Sequence, residues 1–424
     1  MTVVATTLSM GGAGTTRLGG LTFTVTGAVA VDVDGPLSVV GSNTAGGAIS
    51  VKTTDASTAG QNLVFSAGAN LVTTSGDVTL RSGDDLDFPS SARIQTPGQV
   101  AIYVDDGSAD VGGAHVLIAG DIDSASVAIY GGAEADAFWV TPDQDLSGPG
   151  ALLTPYLIHG NDPTTSPGDT LTIDATGIGT PTLGLVGGAN SGAWSFGGAA
   201  AGVTYDGIEG VGVTGAASCY NLLLNMSLAG LDTTPDDIDT IAIATPNSGA
   251  DLQITVDGSQ LFRGAISPLC SLIVVGSNDD DRVDYSATAG PLSATLSSRG
   301  SLDGFSGSVT LPVAGGGSFT QTFDNIDRLV GSAAAGSSPA TGDELMLAIA
   351  TAATWNIAAM NGGSLTIGGP ARDLDFAGFE NLAGTNAVDQ FLLADGAGLS
   401  GRLSAGGPTG ASDPWVADLL DYSA

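Results

Sequence analysis

The sequence predicts an all-β fold, a right-handed parallel β-helix (β-solenoid) built of stacked short strands, which small β-rich insertions can interrupt. Three observations support this fold class. The composition disfavours helices, short apolar runs alternate with turn residues, and several phrases of the sequence recur. Self-similar segments are typical of proteins in which each unit buries its apolar face against the next unit.

The composition argues against a helical protein. The 424 residues include 65 Gly and 40 Asp, but only 4 Glu, 1 Lys and 5 Met. Straight-chain residues that favour helices are therefore scarce, while turn formers and β-branched residues dominate. Disorder is the competing interpretation of so much glycine, but a hydrophobic content of 42% supplies enough apolar surface to form a core.

Short strands are predicted along the first third of the chain. Apolar runs recur about every 8 to 12 residues, and Gly, Asp, Asn or Ser separates them. In SVAIY (126–130) the side chains alternate, which places Val127 and Ile129 on one face and Ala128 and Tyr130 on the other. Three such strands with corners between them make roughly one coil of a parallel β-helix.

Recurring phrases indicate repeats in the second half. VDYSA (283–287) returns as LDYSA (420–424), and TFDNIDRLVG (322–331) returns as DFAGFENLAG (375–384), with an earlier relative in TYDGIEGVGV (204–213). Each longer phrase contains an aromatic residue, then an acid, and then a glycine. The chain is therefore predicted to consist of stacked units.

The acids and aromatics of these phrases have a predicted structural role. The acids precede a glycine-containing turn, a position that suits a carboxylate accepting backbone N–H groups at a corner. The aromatics are predicted to pack in the core and not to serve as sugar platforms. The residues concerned are Glu209, Asp327 and Glu380, with Tyr205, Phe323 and Phe376.

Three stretches of the sequence resemble known surface proteins. Residues 76–106 resemble the coils of filamentous-haemagglutinin-type and autotransporter-like proteins. DFAGFENLAGTNAVDQFLL (375–393) and residues 398–424 resemble the repeat of giant bacterial surface adhesins. The resemblance implies an extracellular or cell-surface structural protein, a segment of an adhesin or of a self-assembling filament, and no enzymatic activity. The alternatives are a ligand-binding adhesin module and a polysaccharide-degrading β-helix enzyme.

Four segments are predicted along the chain. They are the N-terminal coils (1–115), a second solenoid unit (116–215), a less regular segment (216–283) and a C-terminal adhesin-type repeat (284–424). The less regular segment contains the only two cysteines, Cys219 and Cys270. Buried free thiols are the first interpretation of this pair and a disulfide is the second, because both cysteines are next to apolar residues.

The charge limits the partners. A formal net charge of −34 argues against nucleic acid and anionic membrane surfaces, since both are bound through Lys and Arg. No stretch approaches the roughly 20 apolar residues of a spanning helix, so we expect no membrane insertion. Cations and cell-surface glycans are the expected partners.

Calcium is the candidate cofactor. Gly-Gly-x-Gly-x-Asp-x-apolar nonapeptides bind Ca²⁺ between stacked turns, and three segments contain part of this motif. They supply Asp136 (from GGAEADAFW), Asp389 (from GTNAVDQFL), and Asp279 with Asp281 (from GSNDDDRV) as candidate ligands. No two nonapeptides are consecutive, so turn capping through side-chain hydrogen bonds is the first interpretation of these aspartates and calcium ligation is the second.

Catalytic constellations are weak in this sequence. Asp279 and Asp281 could face the same way from a strand, as the paired carboxylates of glycoside hydrolysis do, but Arg282 would face away from them. The two histidines, His115 and His159, have no triad or metal-ligand spacing. Exposed tryptophans could instead contact sugars, and the candidates are Trp139, Trp355 and Trp415.

The chain ends carry a prediction about assembly. A solenoid coil without a neighbour exposes unpaired backbone groups that attract another chain. We therefore expect TVVATTL (2–8) of one copy to continue the strand pairing after LDYSA (420–424) of another, giving a homo-oligomer by head-to-tail association.

Overall fold

A computed structural model describes residues 7–10, 19–21, 23–57, 59–107, 112–144, 153–162, 168–188, 190–215, 219–228, 231, 238–334, 336, 341–368, 374–406 and 418–421. The chain forms two compact units, here called the first unit (1–183 and 190–220) and the second unit (184–189 and 221–424). Residues 2–6 and 422–424, on which the predicted contact between chain ends depends, lie outside the described residues.

The described residues up to Thr214 form short strands. In chain order these are β1 (Thr7–Met10), β2 (Gly19–Leu21), β3 (Thr24–Val25), β4 (Ala28–Val33), β5 (Leu37–Val39), β6 (Ser42–Ala45), β7 (Ile49–Thr53), β8 (Leu63–Phe65), β9 (Asn70–Thr73), β10 (Val78–Arg81), β11 (Leu86–Phe88), β12 (Arg93–Gln95), β13 (Val100–Tyr103), β14 (His115–Ile118), β15 (Asp121–Asp123), β16 (Val127–Tyr130), β17 (Ala137–Val140), β18 (Tyr156–His159), β19 (Thr170–Asp174), β20 (Thr182–Leu185), β21 (Gly192–Ser195), β22 (Val203–Asp206) and β23 (Gly210–Thr214).

Parallel pairing organises the first unit. One sheet pairs β1, β4, β7, β10, β13, β16, β18 and β22 in this order. A second sheet pairs β2, β5, β8, β11, β14, β17, β19 and β23, and a third pairs β3, β6, β9, β12 and β15. From β4 to β15 the chain visits the three sheets in a fixed order, so each strand pairs with its equivalent one visit later.

The core of the first unit consists of side-chain columns that follow this register. In the first sheet, buried apolar residues are direct partners from β4 to β22. Each strand alternates buried and outward positions, as the sequence predicts for SVAIY. One column consists of Val29, Ile49, Val78, Val100, Val127, Tyr156 and Val203, and the next of Val31, Val51, Leu80, Ile102, Ile129, Ile158 and Tyr205.

The rest of the described chain adds strands and two short turns of helix. These are β24 (Tyr220–Asn225), β25 (Asp239–Ala244), α1 (Pro246–Gly249), β26 (Asp251–Val256), β27 (Ser259–Ala265), β28 (Leu269–Val275), β29 (Asp281–Asp284), β30 (Ser293–Arg299), β31 (Phe305–Val313), a 3-10 turn (Ala314–Gly316), β32 (Gly317–Ile326), β33 (Arg328–Val330), β34 (Glu344–Leu347), β35 (Ala353–Ala359), β36 (Gly362–Ile367), β37 (Leu374–Ala377), β38 (Asn381–Ala383), β39 (Gln390–Leu393), β40 (Leu403–Ser404) and β41 (Leu419–Asp421).

The second unit combines parallel pairing with antiparallel meanders. Strands β25, β29, β33 and β37 pair in parallel, as do β35, β39 and β41 in the same sheet. In another sheet β30, β34, β38 and β40 pair in parallel, and β28 pairs with β32. The antiparallel meanders are β25–β26–β27, β30–β31–β32 and β35–β36–β37.

The all-β prediction, with short strands in long parallel sheets, is confirmed by these pairings. The predicted core role of the phrase aromatics is also confirmed, since Tyr205, Phe323 and Phe376 are 6%, 3% and 4% exposed. The meanders were not identified from the sequence, because an alternating run has the same pattern whether its neighbour is parallel or antiparallel.

Both cysteines are disulfide-bonded, so the interpretation of Cys219 and Cys270 as buried free thiols is wrong. The neighbouring residues explain the outcome. Ser271 donates a hydrogen bond to Asn221 Oδ1 at 2.8 Å, which holds the segments next to the two cysteines side by side. Apolar neighbours in the sequence did not reveal this proximity, because it depends on strand pairing.

Candidate functional site

Three of the four predicted metal ligands close turns in a common way. The carboxylates of Asp136, Asp281 and Asp389 each accept the backbone N–H of the residue four positions earlier. For Asp136 that donor is Gly132, at 2.7 Å. All three aspartates are at most 1% exposed. These bonds agree with the interpretation that the three aspartates cap turns.

The carboxylates of Asp136 and Asp389 each accept a second hydrogen bond from a backbone N–H. Asp136 Oδ1 accepts the N–H of Ala114 at 2.6 Å, and Asp389 Oδ1 accepts the N–H of Ala353 at 3.0 Å. Each of these carboxylates thus uses both oxygens for backbone N–H groups. The predicted calcium ligation by Asp136 and Asp389 would have to compete with these bonds.

A series of corner carboxylates continues from these residues in the first unit. The N–H of Asp136 donates to Asp169 Oδ1 at 2.7 Å, and the N–H of Asp169 donates to Glu209 Oε2 at 2.8 Å. Each acid therefore accepts backbone N–H groups, and the N–H groups of Asp136 and Asp169 donate to the next acid of the series. This arrangement satisfies buried donors that strand pairing leaves at the corner.

The second unit repeats the arrangement. The N–H of Asp281 donates to Asp327 Oδ2 at 3.1 Å, and the N–H of Asp343 donates to Glu380 Oε2 at 2.7 Å. Together with Glu209, these contacts confirm that the three phrase acids accept backbone N–H groups at corners.

An asparagine completes two of these corners, and sequence reasoning missed it. Asn190 donates to Glu209 Oε1 at 2.6 Å, and Asn361 donates to Glu380 Oε1 at 2.9 Å. Both asparagines have a positive φ, 60° and 57°, which Asn tolerates better than most residues. The available signal was an Asn 19 residues before each phrase glutamate.

Asp279 and Asp281 meet a third acid, Asp239, from the neighbouring strand. Carboxylate oxygens of the three residues lie within 4.8 Å of one another, and within the described ranges this is the group whose geometry could hold a metal ion. Asp239 and Asp281 are register partners in β25 and β29, and they are 1% and 0% exposed. Asp136 and Asp389 do not belong to this group.

Burial dominates the electrostatics of this acidic group. It raises the pKa of Asp281 to about 7, against the opposing effect of the Ser277 hydrogen bonds, and the charges of Asp279 and Asp239 raise it further. Burial also raises the pKa of Asp327 to about 6. Like charges held together in a desolvated place therefore penalise the ionised forms.

A second group of acids lies in the first unit around Asp105. Burial raises the pKa of Asp105 to about 8, and the carboxylates of Glu134, Asp136 and Asp55 add to the shift. Asp105 is 3% exposed and has a φ of 51°. Burial likewise raises the pKa of Asp169 to about 7.

An open groove runs over the outer face of the second sheet of the first unit. Its volume is about 530 Å³, and its lining includes Asp87, His115, Leu117 and Trp139. Trp139 is 43% exposed, as the sequence analysis expected. The backbone N–H of His115 donates to Asp85 Oδ1 at 2.8 Å.

The other predicted tryptophans and the second histidine have different surroundings. Trp355 is fully buried, so the expectation of an exposed ring is wrong; its ring stacks on Phe391 with centroids 5.9 Å apart. Trp415 lies outside the described residues. His159 stacks on Tyr130 at 4.8 Å and contacts Asp206 Oδ1 through Nδ1 at 2.9 Å.

Comparisons with protein-family models, curated proteins and solved structures find no match to this chain. The resemblance to surface adhesins therefore remains a prediction based on the quoted phrases. No helix in the described part of the chain is long and apolar enough to cross a membrane.

Proposed function

We propose that the protein is an extracellular structural protein, a stiff β-solenoid segment of a cell-surface adhesin or of a self-assembling filament. The parallel sheets of the first unit are proposed to form a right-handed β-helix. One observation carries the proposal: buried columns continue in register from β4 to β22 without an interruption in the pairing.

The corner carboxylates support a structural role. Each corner acid bonds backbone N–H groups of its own turn or of a neighbouring one, as Asp136 does with Gly132 and Ala114. Such bonds connect successive turns in addition to the strand pairing. A repeated connection of this kind stiffens a stack, because each turn is held by its neighbours.

Hydrogen exchange of the full chain tests the proposed solenoid pairing. We expect the backbone amides of β7, β10, β13 and β16 to exchange slowly and at similar rates, because each of these strands is paired on both sides. Rapid exchange of the amides in any of these strands would contradict the solenoid proposal.

The predicted head-to-tail association has a separate test. Sedimentation velocity over a hundredfold range of concentration should show a species that grows with concentration, since an open heterologous contact does not close. A single monomer peak over the whole range would contradict filament formation and leave the proposed stiff segment unaffected.

A ligand-binding adhesin module is the second candidate, and the groove around Trp139 favours it. An exposed aromatic ring beside the carboxylates of Asp85 and Asp87 presents an apolar face next to hydrogen-bond acceptors. Neutral sugars have matching apolar faces and hydroxyl donors. Binding to a neutral-glycan array that is lost in Trp139→Ala would support this candidate, and equal binding by the variant would contradict it.

The polysaccharide-degrading alternative has less support. Asp281 is fully buried and accepts hydrogen bonds from both the N–H and the hydroxyl of Ser277. A carboxylate in this position is poorly placed to reach a glycosidic bond. We therefore propose a structural protein and not an enzyme.

A further inference from the structure

We propose that Asp239, Asp279 and Asp281 form a binding site for one calcium ion, which joins the neighbouring strands β25 and β29 of the second unit. Three observations carry this inference: the register of two buried acids, an unsatisfied carboxylate oxygen, and the spacing of the three carboxylates. The inference holds whether or not the protein forms a surface fibre.

The register places two acids directly against each other. Asp239 and Asp281 are partners in the parallel pair of β25 and β29, and both side chains are almost completely buried. Like charges directly opposite each other destabilise a sheet, and a buried carboxylate loses its hydration. A cation between the two carboxylates turns this repulsion into two favourable contacts.

Asp281 offers an oxygen that the protein leaves unsatisfied. Its Oδ2 accepts hydrogen bonds from the N–H and the hydroxyl of Ser277. Its Oδ1 is buried and accepts no hydrogen bond from any residue that the structure describes. Buried polar atoms nearly always have a partner, so this oxygen itself points to a ligand. Ser277 meanwhile fixes the orientation of the carboxylate, as outer residues do around metal sites.

Asp279 brings a third carboxylate from the turn before β29. One of its carboxylate oxygens is within hydrogen-bonding distance of the Ser277 hydroxyl, so this hydroxyl lies beside both acids of the turn and can donate its single proton to either. Asp279 is only half-buried, which leaves the site open to solvent for water ligands. Three carboxylates and a few waters make the all-oxygen environment that calcium prefers.

The spacing is compatible with one bound ion. The oxygens of the three carboxylates lie within 4.8 Å of one another. Oxygens bound to the same calcium ion are at most about 4.6 to 5.2 Å apart, because each bond is about 2.3 to 2.6 Å long. Calcium also accepts irregular coordination, whereas magnesium demands a near-ideal octahedron, so calcium is the better match to side chains whose positions the sheet fixes.

The arginines of this region contact other acids. Arg328 donates to Asp280 at 2.5 Å, and Arg282 donates to Asp284 at 2.5 Å. These two arginines therefore pair with acids outside the proposed site.

Calorimetric titration of the full chain tests the proposal. The protein is stripped with a chelator and titrated with CaCl₂ or MgCl₂ in 0.15 M NaCl, which suppresses nonspecific binding to the acidic surface. We expect one saturable calcium site per chain and magnesium binding that is at least about tenfold weaker. Asp279→Asn and Asp281→Asn should each weaken calcium binding about tenfold or more.

Asp389→Asn is the matched control. Asp389 closes the same kind of four-residue turn and is equally buried, but it lies outside the acidic group. We expect this variant to retain the calcium site. If Asp281→Asn fails to fold, the half-exposed Asp279→Asn decides the outcome. Absence of a saturable site, unchanged binding in Asp279→Asn, or an equal loss in Asp389→Asn would overturn the proposal.

Discussion

The two units satisfy the backbone of their strands in different ways. In the first unit, a strand such as β10 pairs with β7 and β13, which are its equivalents in the preceding and following visits to the sheet. In the second unit, meanders such as β30–β31–β32 pair strands that are adjacent in the sequence. Corner carboxylates nevertheless occur in both units, at Asp169 with Glu209 and at Asp343 with Glu380.

This comparison separates two contributions to stability. Strand pairing depends on which neighbours a strand has, and it differs between the units. The corner bonds depend on a turn that brings buried N–H groups to one place, and they are shared. We infer that hydrogen bonding by corner carboxylates is more general in this chain than either mode of strand pairing, because it occurs in both units.

The largest expected effects come from removing a buried side chain. Ile129→Ala removes a side chain that lies between Ile102 and Ile158, so it should lower the free energy of unfolding by about 2 to 5 kcal/mol. Leu329→Ala, between Val283 and Phe376, should cost a similar amount in the second unit. Chemical denaturation measures both losses.

Ala128→Ser is the control for the column, because Ala128 faces outward on the same strand. Its effect on the free energy of unfolding should stay within about 0.5 kcal/mol. An Ile129→Ala variant as stable as Ala128→Ser would contradict the buried column.

The corner acids should give the next largest effect. Glu380→Ala leaves the N–H of Asp343 without its acceptor, which should cost about 1 to 3 kcal/mol of unfolding free energy. Glu209→Ala should cost less, since Glu209 is half-buried whereas Glu380 is 7% exposed. Urea denaturation of the two variants compares how much unfolding free energy a corner carboxylate contributes in each unit.

Glu344→Ala is the control for the corners. Glu344 is half-buried too, but it contacts the exposed Arg402 at 3.4 Å and bonds no described backbone N–H. Its loss should change the unfolding free energy by less than about 1 kcal/mol. Equal losses in Glu344→Ala and Glu380→Ala would show that the corner hydrogen bonds contribute no more to the unfolding free energy than an ion pair with an exposed arginine does.

A smaller effect is expected from pH. Because the pKa of Asp105 rises to about 8 on folding, the folded state holds a proton that the unfolded chain releases near pH 4. Its contribution to stability is therefore complete below about pH 4 and declines as the pH rises to about 8. Asp105→Asn should flatten this decline and, at pH 8, make the protein more stable to unfolding than the wild-type chain.

Thermal unfolding between pH 5 and pH 8 measures this effect. Asn suits the site because it is neutral, similar in shape and tolerant of the positive φ of Asp105. In the second unit the pKa of Asp327 rises only to about 6, so Asp327→Asn should flatten the profile at lower pH. If the Asp105→Asn profile keeps the full decline up to pH 8, the buried proton is not at Asp105.

The smallest expected effect on stability is that of Trp139→Ala. Trp139 is 43% exposed on the outer face of its sheet, so its removal should change the unfolding free energy by no more than about 1 kcal/mol. Trp355→Ala, in the core of the second unit, should cost about 3 to 5 kcal/mol. Differential scanning calorimetry compares the two, and similar losses would contradict the assigned positions of the two rings.

The sequence allowed prediction where the signal is local. The short strands follow from alternation, as in SVAIY, and the corner role of Glu380 follows from its place before a turn. The contribution of Asp239 to the acidic group could not be predicted, since it depends on the register of β25 with β29. The disulfide depends on pairing in the same way.

Residues with several possible partners were the hardest to predict. Trp355 belongs to an alternating run, and nothing in that run shows which of its two faces lies against the core. Asp136 and Asp389 match a calcium motif, yet their oxygens accept backbone N–H groups supplied by Ala114 and Ala353 of other turns. Side-chain identity alone does not encode such neighbours.

The central claim, parallel strands in register, has a direct spectroscopic test. Ala101 and Ala128 are register partners on adjacent strands and face outward, so their Cα atoms should be about 4.8 Å apart. Spin labels are attached to Ala101→Cys with Ala128→Cys, and the native cysteines do not interfere because they are disulfide-bonded. The account predicts a spectrum strongly broadened by spin–spin interaction. A spectrum equal to the sum of the two single-label spectra would contradict it.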